Sequence, residues 1–172
     1  MSEIFLVDTN IFITPYEQYY PFDLAQNFWT QFGAYIEKGE IAVLDMVRDE
    51  VLKGKDDLSK WLKGLNCGCL IEHQEVVPEY AAILQYIQNN DCYRQSAVTE
   101  WSRATVADAW LIAAAKKRGY TLVTFEKFNQ GVNAKNKSKT ASIPNIAADF
   151  NVKTVDLFYM MRTLNIKLYG EN

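Results

Sequence analysis

Histidine is almost absent from this chain: His73 is the only one in 172 residues. Nucleophile–histidine catalysis would have to run through it. Neither a Gly-x-Ser-x-Gly elbow nor a catalytic-cysteine context accompanies it, so the sequence argues against that chemistry. Cysteine is scarce too. Cys67, Cys69 and Cys92 make an odd number, which suits a reducing, cytoplasmic setting better than a disulfide framework. Cys67-Gly68-Cys69 with His73 falls short of the four ligands of a structural zinc site. Ordinary part-buried thiols are expected instead. No apolar run approaches the roughly 20 residues of a membrane span. The start, MSEIFLVDTN, has no basic segment and reaches Asp8 at once, so no signal peptide is expected there. No Gly-x-Gly-x-x-Gly follows the first apolar run, which argues against a dinucleotide enzyme.

What is present is ordinary for a soluble globular chain: 49% apolar and 23% charged residues. Disorder, collagen and repeat architectures do not fit that composition. The length suits one domain, residues 1–172, able to bury about 70% of its unfolded surface. The net charge of −3 counts against a nucleic-acid partner, but it hides a split. Residues 1–100 carry 7 Lys/Arg against 16 Asp/Glu, a balance of −9, and residues 101–172 carry 11 against 5, a balance of +6.

Hydrophobic patterning predicts an α/β fold with a mostly parallel sheet. Ile4-Phe5-Leu6-Val7 and Ile41-Ala42-Val43-Leu44 are continuous apolar runs of strand length, as strands buried on both faces require. Further strands are expected over 120–125 and 152–155. Helices are expected over 22–38, 46–53, 58–65, 78–88, 107–118, 143–150 and 157–165. Residues 89–104 are ambiguous, and 127–142 read as a polar loop.

Four strand candidates run into an acid: Asp8, Asp45, Glu126 and Asp156. In open α/β sheets, sites gather at the carboxyl ends of strands. Carboxylates converging there repel unless a cation neutralises them, and hard oxygen ligands select Mg²⁺ or Mn²⁺. Each acid also has an ordinary explanation. Asp45 and Asp156 precede helices and suit capping. Asp108 suits a helix dipole, and Glu50 a solvated face.

The acids in order resemble the PIN-domain family of nucleases. The matching pieces are Val7-Asp8-Thr9-Asn10, Val47-Arg48-Asp49-Glu50-Val51, Ala107-Asp108-Ala109-Trp110-Leu111-Ile112 with the alanines after it, and Leu122-Val123-Thr124-Phe125-Glu126. The resemblance covers residues 4 to about 158. The stretch from Asp8 to the Tyr-Tyr-Pro-Phe at 19–22 is similar to an uncharacterised prokaryotic subgroup related to toxins of the VapC type. It implies a single α/β/α sandwich and a metal-dependent endoribonuclease. Asp8, Glu50 and Asp108 would bind Mg²⁺ or Mn²⁺. Glu126 falls where relatives carry a fourth acid, more often Asp, so it could be a direct ligand, a ligand through water, or neither. Asn10 and Thr124 would support the site by hydrogen bonds. Asp49 points about 100° away from Glu50 and is assigned to solvent. Trp101 and Trp110 could stack on a base, with packing favoured. An RNA substrate, an antitoxin partner and a homodimer are further implications. For the homodimer, the aromatic-rich stretch 19–35 offers apolar surface, with core packing equally favoured.

Residues 116–139 hold Lys116, Lys117, Arg118, Lys127, Lys135, Lys137 and Lys139 against Glu126 alone. They suit either a solvated loop or a rim that contacts RNA phosphates. Two other readings remain open: a non-catalytic PIN-like binding or scaffold module, and a DNA-directed nuclease or phosphatase with a similar acid cluster. A haloacid-type phosphatase would carry Asp-x-Asp after the first strand, where this chain has Asn10.

Overall fold

The computed structural model describes residues 2–169. The two apolar runs near the start form β1 (Phe5–Val7) and β2 (Ile41–Leu44), both fully buried. Helices on each side of a sheet leave no polar face, which is why these runs do not alternate. Three further strands follow: β3 (Leu70–Ile71), β4 (Thr121–Val123) and β5 (Thr154–Val155). All pairings are parallel, in the order β3-β2-β1-β4-β5. The chain moves outward from β1 to β3, then returns to the other side of β1 for β4 and β5. The direction therefore reverses between β1 and β4. A reversal of this kind opens a crevice beyond the strands' carboxyl ends.

Between β1 and β2 lie α1 (Asn10–Thr14), a π-helical turn (Pro15–Tyr19) and α2 (Gln26–Lys38). Then come α3 (Asp45–Leu52) and α4 (Asp57–Gly64), a 3₁₀ turn (His73–Val76), α5 (Val77–Asn89), α6 (Gln95–Trp101) and α7 (Asp108–Arg118). The last two are α8 (Ile143–Asp149) and α9 (Leu157–Thr163). Helices flank the sheet as an α/β/α sandwich. None of the described helices is long and apolar enough to cross a membrane.

Several expected boundaries shift. The helix expected from residue 22 starts at Gln26. Phe22 instead lies in the turn before it and stacks on Trp29, with ring centroids 4.5 Å apart. The ambiguous stretch 89–104 yields α6, because Ala97 and Trp101, four residues apart, both face the core. β3 was not anticipated, since two residues carry no periodicity.

The aromatic-rich stretch 19–35 is spent mostly inside. Phe28, Trp29 and Phe32 are buried and cluster with Trp61 from α4. Of the two readings of the stretch, the structure favours core packing over apolar surface for a homodimer. Only Tyr19 and Leu24 among its large apolar side chains stay well exposed.

Candidate active site

The register pairs Val7 with Val123, so Asp8 and Thr124 leave the two central strands side by side. The Asp8 N–H donates to the Val123 carbonyl at 3.0 Å. The Thr124 hydroxyl donates to Asp8 Oδ2 at 3.1 Å. Asp8 is only 5% exposed. Glu50 reaches the same edge from α3, which starts directly where β2 ends. There the Thr9 hydroxyl donates to Glu50 Oε2 at 2.8 Å. Asp108 is the first residue of α7 and half-buried. Glu126, two residues past Thr124, turns one oxygen to the Ile143 N–H at 2.8 Å. Its own N–H donates to the Thr124 hydroxyl at 3.2 Å.

Burial pushes the Asp8 carboxyl up to about 6, with the charges of Glu126 and Glu50 adding to it and the Thr124 hydroxyl opposing. Burial pushes Asp108 up to about 7, and the charges of Glu126, Asp8, Glu100 and Glu50 add in that order. Burial also raises Glu126, against the Ile143 N–H, which holds its charged form. Asp8 and Asp108 therefore feel the charges of Glu50 and Glu126 near the carboxyl ends of the central strands. Glu100, from α6, is a fifth acid that the sequence did not single out.

Among the described residues, no group of three or more His, Cys, Asp or Glu side chains is drawn up as a ready coordination shell. The hydrogen bonds give the physical reason. Asp8, Glu50 and Glu126 each lean on a neighbouring donor, which suits like charges that repel. The donor set is nonetheless all carboxylate oxygen, the chemistry that fits Mg²⁺ or Mn²⁺ rather than a soft metal. Holding one ion would require these side chains to leave the positions and hydrogen bonds they have in this structure.

The other expectations divide. Asn10 was expected to support the site, but it opens α1 on an exposed side, and its side chain hydrogen-bonds to none of the described residues. Thr9 does the supporting instead. Nothing but its place inside Asp8-Thr9-Asn10 pointed to it. Trp101 is buried, and Trp110 stacks flat on Tyr80 with centroids 3.5 Å apart, so both are packing residues. Asp156 caps α9 as expected, accepting from the Tyr159 N–H at 2.8 Å. Asp45 is not the cap expected of it: it is the first residue of α3, and its Oδ1 accepts from the adjacent Met46 N–H at 2.7 Å. It takes the His73 imidazole at 2.6 Å and the His73 N–H at 3.1 Å, tying the end of β2 to the turn after β3. The cysteines are free thiols.

The basic residues divide. Lys116, Lys117 and Arg118 sit at the far end of α7, eight to ten residues from Asp108, which at 1.5 Å per residue is about 12–15 Å. They lie where α7 turns into the start of β4, away from the acids. Lys116 lies over the Phe150 ring, Lys117 pairs with Glu79 at 3.8 Å, and Arg118 pairs with Glu75. They are therefore not a rim beside Glu126. Lys127 follows Glu126 and is exposed. Lys137 and Lys139 line a polar cavity of about 410 Å³ with Arg94, although Lys137 is also paired with Asp91 at 3.1 Å. Lys135 is exposed on the same segment.

A family model for a domain of unknown function, DUF4411, matches residues 5–168. The chain belongs to that family. No curated protein matches it. The DUF4411 match begins at β1 and ends beyond α9, so it takes in all four acids and the whole sheet. Next to Glu126, this DUF4411 chain opens a groove of about 540 Å³, lined by Thr124, Glu126, Lys127, Tyr19, Phe128 and Phe158 among others.

Proposed function

We propose that this DUF4411 protein is a nuclease dependent on Mg²⁺ or Mn²⁺, hydrolysing phosphodiester bonds of RNA at Asp8, Glu50 and Asp108. The observation that supports it most is the gathering of these acids, with Glu126, at the point where strand order reverses. The resemblance of the four acidic motifs to PIN-domain nucleases points the same way.

The chain's residues have separate tasks in this reading. Asp8, the most enclosed, would be the fixed ligand, its orientation set by the Thr124 hydroxyl. Glu50 would be steered by Thr9, a positioning residue. Asp108 would contribute from the first turn of α7, where the helix dipole favours its charge. Glu126 already serves α8 by accepting one of its unpaired first-turn N–H groups, so its part in binding is smaller. When bound, a divalent cation neutralises the acids, clamps a phosphate and makes a water acidic enough to react near neutral pH. His73, engaged by Asp45, has no part in it.

The test is cleavage of mixed-sequence RNA and DNA oligonucleotides by purified protein, with and without Mn²⁺. RNA should be cut only with the metal, and Asp8→Asn should abolish cutting. Equal activity in wild type and Asp8→Asn would sink the assignment. Metal-dependent cutting of DNA alone would move the activity to the DNA-directed alternative.

A further inference from the structure

Large aromatic rings in solvent need a reason, and several of them surround one groove. Phe128 is 57% exposed, Tyr19 49% and Phe158 39%, and all three line the cavity that shares Thr124 and Glu126 with the acid cluster. They come from three separate parts of the chain: the π-helical turn, the segment after β4, and α9. Tyr19 is held edge-on against Phe125, centroids 6.2 Å apart, whereas the rings of Phe128 and Phe158 stack on no other ring among the described residues. Lys127 places a cation on the same wall. At about 540 Å³ the groove is within the roughly 300–1,000 Å³ of ligand sites, and it carries hydroxyls and the Asp156 carboxylate beside its rings.

We propose that this groove is a base-binding subsite: an unpaired nucleobase of a single-stranded RNA enters between Phe128 and Phe158, with its phosphate towards Lys127 and the acids. The proposal rests on the reading of the acids as a nuclease site and adds where the neighbouring nucleotide lies. Stacking on exposed rings is open to any unpaired base, and a duplex, whose bases are already stacked, cannot offer one. Continuity decides for a nucleotide over an unrelated small molecule. Glu126 and Thr124 belong to both places, so a strand whose phosphodiester lies at the acids has its next base at the mouth of the groove. The cation on the wall suits the phosphate and the rings suit the base.

The experiment measures binding without cutting. A fluorescein-labelled single-stranded RNA of mixed sequence is titrated with protein in Ca²⁺, an oxygen-ligated cation that neutralises the acids, with the strand checked on a gel to be uncut, and followed by anisotropy. A strand of equal length with every base removed serves as the comparison. Wild type should bind the complete strand more tightly than the abasic one. Phe128→Ala and Phe158→Ala should each weaken the complete strand by about 5- to 150-fold, the range for loss of one base–aromatic stack, and leave the abasic strand unchanged. Phe128→Tyr, which keeps a ring, should retain the preference. An unaltered melting temperature confirms that the variants fold. A wild type without preference for bases, or a Phe128→Ala that loses both strands equally, overturns the proposal. Cleavage assays on the same proteins in Mn²⁺ separate the two claims. Base-dependent binding without cleavage defeats the nuclease reading alone, and cleavage with the preference intact in both alanine variants defeats the subsite alone.

Discussion

If the acids are the proposed metal site, Thr9 supports it without touching the chemistry. Its hydroxyl is the only hydrogen-bond partner of the Glu50 side chain among the described residues, at 2.8 Å. Without it Glu50, at an exposed position of α3, would sample several rotamers. Thr9→Ala is expected to cost about 10- to 100-fold in Mn²⁺ affinity or cleavage, as for other residues that orient metal ligands. Thr9→Ser, which keeps the hydroxyl, should recover most of the loss. An unchanged rate in Thr9→Ala, or no rescue by serine, would remove the positioning role. At this scale the sequence was legible where an acid directly followed a buried strand, as at Asp8. It was silent where a residue's task depends on a partner 41 positions away, as with Thr9 and Glu50. The sequence offers Asn10 as the candidate, and only the turn into α1 gives the role to its neighbour Thr9.

The elements were legible in proportion to their length. β1, β2 and α7 carry runs or periodicities that one face of a fold must bury, and they lie close to where patterning puts them. β3 escapes because it is held by its neighbour rather than by its own sequence. What holds it close is a glycine. α2 ends at Gly39 in a left-handed conformation, φ 77°, and the strand's approach passes directly over that cap. A Cβ at Gly68 would lie 2.2 Å from the Glu37 carbonyl oxygen, so no side chain fits there. Gly68→Ala should destabilise by about 1–3 kcal/mol through backbone displacement, measurable by urea unfolding. Because β3 also carries the link to His73, the same variant should loosen the Asp45–His73 pair. Gly64→Ala, with nothing near its Cβ, is the control and should change little. Equal stability of the two variants would contradict this packing.

For the whole molecule, the acid cluster sets a cost that the rest of the fold must carry. Asp8 and Asp108 stand at about 6 and about 7 in the folded chain, against 3.8 for the free side chain. Between those values the folded chain keeps protons that the unfolded chain has released. Stability therefore falls as pH rises through this window. The melting temperature of metal-free protein should drop from about pH 5 to about pH 8, and Mn²⁺ should restore it at the higher pH. Glu3, lowered chiefly by its hydrogen bond to Lys153, works in the opposite direction. The decisive comparison is therefore with Asp108→Asn, which should flatten the slope and gain about 1 kcal/mol without metal at high pH. A wild-type melting temperature that rises with pH, or a slope unchanged in the variant, would contradict the burial and, after it, the neighbouring charges that raise these two acids. The net charge of −3 now reads as a sum of unlike parts. Four of the negative charges lie near the carboxyl ends of the central strands, where Asp8 and Asp108 feel the other two, while part of the late basic excess is tied up at the other end of α7 by Glu75 and Glu79.

Cation binding itself is the most direct measurement of the central claim. Titration of the purified protein with Mn²⁺, following free metal by electron paramagnetic resonance, should give saturable binding. Asp108→Asn should weaken it by at least about tenfold. Glu126→Gln should weaken it less, because the glutamine oxygen can still accept from the Ile143 N–H. Equal Mn²⁺ affinity in wild type and a folded Asp108→Asn would show that the acids do not form a metal centre.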